Sequence, residues 1–369
     1  MRKGLKGMKI LIITNHSYML YRFRRELIES LMEEHEVVLS MPFVGHEDDF
    51  LAMGLKCIET EIDRRGIDPQ KDLKLFRFYR RMLRQERPDL VVTYSIKPNL
   101  YAGMACTMAG IPFCANVQGL GTAFQRKPIA AIVTGMYKVA MRKARTVFFE
   151  NEVNAREFVR RHIVPAGQET ILPGAGINLE RYPLRAYPEN DRFHFLYLGR
   201  IMDEKGISEL LSAACRLHTE LGDRVVLDVV GFCEDDYLDR LRRLERDGIL
   251  IFHGFRDVPD PYYAQTDCVV LPSYHEGMSN VLLEAAATGR PVIASDISGC
   301  REAVDPDRSG LLCRPRDTES LYTQMLRMAQ LSREERMEMG IAGRTKMECE
   351  FDKNMVVQRT MDAMFRTKM

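Results

Sequence analysis

A chain of 369 residues is too long for one ordinary hydrophobic core and points to two domains. Its 46% apolar and 28% charged residues exclude a disordered or fibrous chain. A net charge of +1 excludes wholesale nucleic-acid affinity, yet residues 1–185 hold 29 Lys and Arg against 20 Asp and Glu, while 186–369 hold 24 against 32. The first half is expected to meet something anionic.

Nine cysteines, an odd number without any C-x-x-C pair, fit a reducing cytosol in which most thiols are small core residues. Met1–Gly7 leads straight into a strand, so no secretory leader is expected. Residues 98–125 carry no charge, but Pro98, Gly103, Gly110, Pro112, Gly119 and Gly121 break them into helix, turn and strand rather than a membrane span.

In chain order, the apolar run Lys9–Thr14 is expected to be the first strand of a parallel sheet. Asn15-His16-Ser17 follows, then a helix from about Leu20 to Glu33 and a strand at Val37–Ser40. Lys71, Lys74, Arg77, Arg80, Arg81, Arg84 and Arg87 recur every three or four residues among Leu73, Leu75, Phe76, Phe78, Met82 and Leu83. That is an amphipathic helix with a basic ridge, either a solvated face or one suited to an anionic membrane surface. Pro88–Tyr94 reads as a strand, followed by a helix to Met108, a strand at 113–117, a strand at Arg145–Phe149 and a helix over Val153–Arg161. Strand and helix alternate, which argues for α/β with parallel sheets. The stretch 183–192, with Pro183 and Pro188, is the expected linker, after which strands are expected at 193–198 and near 225–230, 249–252, 267–271 and 291–294. The last segment, 352–367, reads as helical.

The chemistry concentrates in Pro272–Pro291. Ser279 or Asn280 can cap a helix that Gly289 and Pro291 end, placing Glu276 in a turn and a half-buried Glu284 on the helix. The two acids are either a cap and a solvated side chain or acceptors for sugar hydroxyls, Glu276 from a hexose and Glu284 from a ribose. Glu276 and Glu284 have seven residues between them, with Pro-Ser before and Gly-Arg-Pro-Val after. They resemble the E-x7-E signature of retaining family-4 glycosyltransferases. Lys97-Pro98-Asn99, Gln118-Gly119-Leu120-Gly121, Glu150-Asn151 to Asn154, Gly176–Leu179 and Gly299-Cys300-Arg301-Glu302 are similar to a narrower branch that builds lipid-linked glycans, capsules and exopolysaccharides, including acetylgalactosaminyltransferases.

The resemblance implies the GT-B architecture: two facing Rossmann-like parallel-sheet domains with a deep interdomain cleft. Residues 1–185 would bind acceptor, 186–350 the nucleotide sugar, and 351–369 would be a helix crossing back to the first domain. After the strand at 193–198 come Gly199, Arg200 and Lys205, either ordinary loop cations or, as the resemblance implies, holders of the donor diphosphate. Arg200, Lys205 and Glu276 are thus the expected catalytic set. Gly277, Met278, Ser279, Asn280 and Glu284 would line the donor site. So would Phe255 and Arg256, in the loop 254–258 that contacts the base in the family; Phe255 reads equally well as core packing. Asn15 and His16 stand where the family often has a Gly-rich loop, and Gln118, next to Gly119, where it often has a His. These four are the acceptor-side residues.

Asp305-Pro306-Asp307 reads as a surface turn and no His/Cys cluster has zinc spacing, so no metal and no cofactor beyond the donor, a UDP-sugar, is expected. The expected function is a metal-independent, retaining transfer of a hexose or N-acetylhexosamine to a polyprenyl-diphosphate-linked or glycan acceptor. It would occur in the cytoplasm, at the inner face of the cell membrane, through residues 71–87. Two rivals are a UDP-sugar 2-epimerase on the same architecture and a non-catalytic nucleotide-sugar-binding subunit. A nicotinamide enzyme is disfavoured because no G-x-G-x-x-G follows either first strand.

Overall fold

The computed structural model describes residues 7–63, 66, 68–119 and 127–366, with backbone alone for 127–129. Leu120 and Gly121 of the motif above lie outside the described residues. The chain forms two compact units, one of Met1–Ala175 with Asn354–Met369 and one of Gly176–Lys353.

In the first unit the elements run β1 (Lys9–Ile13), α1 (Ser17–Met32), β2 (Glu36–Met41), α2 (Glu47–Ala52), β3 (Lys56–Glu59), α3 (Pro69–Glu86) and β4 (Leu90–Tyr94). A π-helical turn, Pro98–Ala102, enters α4 (Gly103–Ala109), followed by β5 (Phe113–Val117), α5 (Lys127–Met141), β6 (Ala144–Phe149), α6 (Glu152–Arg160) and β7 (Glu169–Ile171). In the second unit come β8 (Phe193–Leu198), α7 (Ile207–Leu221), β9 (Val225–Val230), α8 (Leu238–Arg246), β10 (Leu250–Gly254), α9 (Asp260–Gln265) and β11 (Cys268–Leu271). They are followed by α10 (Asn280–Ala287), β12 (Val292–Ser295), β13 (Gly310–Cys313), α11 (Thr318–Gln330) and α12 (Arg333–Glu350); α13 (Lys353–Phe365) ends the described chain.

Each unit is one parallel sheet: β3-β2-β1-β4-β5-β6-β7 in the first and β10-β9-β8-β11-β12-β13 in the second. Strands covered on both faces are mainly apolar, and β4, β5 and β9 are buried at every position, with their polar residues Thr93, Asn116 and Asp228 hydrogen-bonded. The chain winds outward from β1 and then from β4, so the order reverses between these two; in the second sheet it reverses between β8 and β11. At such a reversal the loops leaving adjacent carboxyl ends turn to opposite faces and leave a crevice that ligands use.

Local chemistry sets the helix boundaries. Asp68 caps α3 by accepting from the N–H groups of Gln70 and Lys71, and Pro69 opens the helix where its missing N–H costs nothing. Ser332 and Glu335 close a reciprocal capping box on α12. The stretch 183–192 is not a free linker, because it packs within the second unit. Tyr187 is buried and donates to the Asp267 carbonyl at 2.8 Å, while Arg290 donates to the carbonyls of Arg185 and Ala186. The core of the first unit includes Val357, Ala363 and Met364 of α13 beside Ile10, Leu20 and Ile28.

Candidate active site

The loop after β8 and the loop after β11 meet at the reversal of the second sheet. The Tyr274 N–H donates to the Glu204 carbonyl at 2.9 Å, and a Cβ on Gly206 would lie 2.1 Å from the Pro272 carbonyl oxygen, so only glycine admits this approach. Within that clamp Lys205 Nζ reaches Glu276 Oε1 at 2.6 Å. Lys205 is 17% exposed and Glu276 13%, enough to be reached by a ligand but too dry for free solvation. Burial, and after it the Glu276 charge, pushes both the Tyr197 phenol and the Cys300 thiol up. Cys300 is thereby an inert core thiol rather than a nucleophile.

Glu276 is held from behind. The Ser279 N–H donates to the Gly299 carbonyl at 2.9 Å, and Glu302 accepts from the Gly299 N–H at 2.6 Å and from the Ser298 hydroxyl at 2.8 Å. Ser279 is the N-cap of α10, with Asn280 its first residue, and Met278 is buried in the core. Glu284 is 4% exposed, more deeply buried than the half-exposure expected, because the surrounding face of α10 packs into the core; it accepts from the Tyr263 hydroxyl at 2.8 Å.

Arg200 is 43% exposed and pairs with Glu234 at 3.1 Å, a partner in the loop after β9 that sequence spacing did not suggest. Phe255 is 53% exposed, which rules out the core-packing alternative; its ring meets Phe232 edge-on at 6.0 Å. Arg256 is exposed and donates to the Tyr262 hydroxyl at 3.1 Å. Gly199 leads from β8 into this loop system, and Gly277 follows Glu276 in the turn.

The first unit has a matching arrangement at its own reversal. The Ser95 hydroxyl, after β4, donates to Asn15 Oδ1, after β1, at 2.7 Å. Ser95 has φ of +75°, uncommon for a residue with a Cβ. Gln118 sits beside Met19, its Nε2 3.8 Å from the sulfur, and the His16 ring meets Tyr18 edge-on at 6.0 Å. Gly119 is the last described residue of that loop. Lys97 pairs with Asp72 of α3 at 2.7 Å, joining the loop after β4 to that helix.

No group of three or more His, Cys, Asp or Glu among the described residues is gathered as metal ligands. Asp305 pairs with Lys346 at 2.9 Å and Asp307 with Arg327.

Two Rossmann-like parallel sheets, each with polar residues gathered at its reversal point, are the fold of the GT-B class. The chain belongs to the glycosyltransferase families described as Glycosyl transferase 4-like, matched by residues 9–151, and Glycosyl transferases group 1, matched by residues 192–330. It is similar, at 25% identity over 95% of this chain and 97% of the relative, to the N,N'-diacetylbacillosaminyl-diphospho-undecaprenol alpha-1,3-N-acetylgalactosaminyltransferase of Campylobacter jejuni. At 25% identity over 80% of each chain it resembles the UDP-Gal:alpha-D-GlcNAc-diphosphoundecaprenol alpha-1,3-galactosyltransferase of Escherichia coli. Among solved structures, Anabaena HepE in complex with UDP and glucose has a TM-score of 0.79 at 18% identity, covering 96% of this chain and 98% of its own. Among the described residues no helix is long and apolar enough to cross a membrane.

Proposed function

We propose that this glycosyltransferase moves a hexose or N-acetylhexosamine, with retention of configuration, from a UDP-sugar to a polyprenyl-diphosphate-linked or glycan acceptor in surface-glycan assembly. The observation that carries the reading is the Lys205–Glu276 contact at the reversal of the second sheet, with the buried Glu284 on the helix that follows. Lys205 would take the donor diphosphate and Arg200 would reinforce it, Glu276 would orient the hexose, and Glu284 would accept from the ribose. The bond from the anomeric carbon to the diphosphate oxygen breaks, the acceptor oxygen bonds that carbon on the same face, and the acceptor proton passes to the departing diphosphate. Cations fixed where that charge develops supply the stabilisation. The diphosphoundecaprenol acceptors named for two relatives support the acceptor class.

The reaction is proposed to need no metal: Asp305 and Asp307, spaced as D-x-D, each pair with a cation of a neighbouring helix, Lys346 and Arg327. The exposed basic ridge of α3 is proposed to hold the enzyme at the anionic cytoplasmic leaflet, each Lys or Arg near the surface contributing about 1 kcal/mol. A panel of nucleotide sugars with a polyprenyl-diphosphate-linked acceptor, run with and without chelator, tests these points together. Transfer from a UDP-sugar, unaffected by chelator and giving an axial or equatorial bond as in the donor, is expected. Conversion of the UDP-sugar without acceptor would show an epimerase instead, and donor binding without any turnover a non-catalytic subunit.

A further inference from the structure

The far end of α3 carries a feature that the transfer reaction does not use. Arg80, Arg84 and Arg87 line a cavity of about 540 Å³ in the first unit, together with Leu83, Met108 and Ile111. Arg87 and Ile111 immediately precede the segments entering β4 and β5, so the cavity lies at the amino-terminal edge of adjacent strands. Asn15, Ser95 and Gln118 occupy the opposite, carboxyl-terminal edge. The 18-residue helix spans about 27 Å, which separates the two regions.

The three guanidinium groups are not neutralised by the acids nearest to them in sequence. Glu86 pairs with Lys9 and Lys56, Asp89 accepts from the Lys9 N–H, and Asp72 pairs with Lys97. Three like charges gathered in a concavity repel one another unless an anion joins them, and Arg forks match phosphate oxygens. Their position at the end of α3 also suits cations, since the helix dipole is negative there. That alone would explain isolated arginines on a convex surface. It does not explain the apolar part of the lining: Met108 is 64% exposed, and it lines the same cavity as Ile111 and Leu83. A ligand that satisfies both parts of the lining has a phosphate joined to hydrocarbon.

We propose that this cavity binds the phosphate headgroup of an anionic membrane phospholipid, with the upper part of an acyl chain against Met108 and Ile111. The proposal rests on the reading of α3 as a membrane-facing helix and deepens it. The ridge supplies diffuse attraction, and the cavity supplies one stoichiometric lipid contact.

The test uses the whole protein and dihexanoyl phosphatidic acid kept below its micelle concentration, which presents a headgroup without a bilayer. Calorimetry should show saturable binding at one site per chain, at least tenfold tighter than inorganic phosphate. The triple variant R80Q/R84Q/R87Q and the variant M108E should each weaken it at least tenfold. The ridge variant K71Q/K74Q/R77Q/R81Q should leave it within twofold while reducing sedimentation with phosphatidylglycerol vesicles. Equal losses in the cavity and ridge variants would reduce the cavity to general positive charge and overturn the site. So would tighter binding of inorganic phosphate, of a phosphopeptide or of RNA. If the short-chain lipid binds but wild-type protein ignores vesicles at low salt, the cavity stands and the membrane reading of the ridge fails.

Discussion

Lys205 Nζ lies 2.6 Å from Glu276 Oε1, joining a cation and a carboxylate that belong to two loops 71 residues apart. A donor phosphate and a donor hexose would each engage one member, so the two side chains act as a unit. Lys205→Ala should lower turnover at saturating donor by about 10²–10³, the loss typical of one preorganised charge-stabilising donor. Glu276→Gln should also be severe, and the double variant should lose far less than the product of the singles. Strictly multiplicative losses in kcat would mean that the pair is not coupled in the reaction.

The donor's ribose offers a second check. Tyr263 presents its hydroxyl to Glu284 Oε2 at 2.8 Å, and the fully buried Arg290 donates through Nε to the Tyr263 carbonyl at 2.7 Å. Tyr263→Phe removes a hydrogen bond to a charged group, worth about 1.5–3 kcal/mol. UDP affinity should fall by about tenfold, whereas 2′-deoxy-UDP, which lacks one hydroxyl, should be affected less. An equal loss for both ligands in calorimetry would take Glu284 away from the ribose.

Arg290→Met should act on stability first. Burial pushes this guanidinium down to about 10, and it is satisfied by backbone carbonyls of residues 185, 186, 263 and 264. Leaving such acceptors unpaired costs about 1–3 kcal/mol each. A lowered urea midpoint, with UDP binding recovered at low temperature, is expected.

Gly299 has φ of +89°, and a Cβ there would lie 2.5 Å from the Gly277 carbonyl oxygen and 2.7 Å from that of Glu276. Gly299→Ala therefore strains its own backbone, by about 1–3 kcal/mol, and pushes the Glu276 turn out of place. Turnover should drop more than thermal stability. An alanine variant with wild-type kcat would show that the turn tolerates the shift.

Acid should weaken the first unit through Glu86. Its hydrogen bonds from Lys56 and then Lys9 hold the carboxyl below its ordinary value of 4.5. A depressed acid stabilises the folded state above its unfolded value and loses that contribution as the pH falls below 4.5. Glu86→Gln should cost about 1 kcal/mol at pH 7, given how exposed Lys56 is, and progressively less below pH 4. Unfolding curves at both pH values measure it; a pH-independent difference would exclude the ion pairs as its source.

The elements most legible from sequence are those whose burial leaves one reading. The mainly apolar runs Val225–Val230 and Phe113–Val117 are strands within a residue of expectation; both are buried throughout, and the one polar residue in each is hydrogen-bonded, Asp228 to the His194 and His253 rings and Asn116 to the Thr93 carbonyl. The edge strands β3 and β7 escaped notice because their outward residues are polar or half-exposed, as in Lys56–Glu59. Side-chain partners were less legible than positions. Which loops touch follows from sheet order, and nothing in the spacing of Arg200 and Glu234 encodes that β8 lies beside β9. Tyr263 carried only a weak signal, an aromatic residue just before a buried strand. Its role depends on α10 turning Glu284 inward.

The last helix has a consequence for synthesis. Arg145 donates to the Met364 carbonyl at 3.0 Å, and the Phe365 ring packs 5.0 Å from His35, so α13, made after the whole second unit, completes the core begun by β1. The ribosome releases every residue of the second unit before the first unit has all of its own. Folding of the first unit must wait for α13, and removing α13 should unravel the unit that β1 begins.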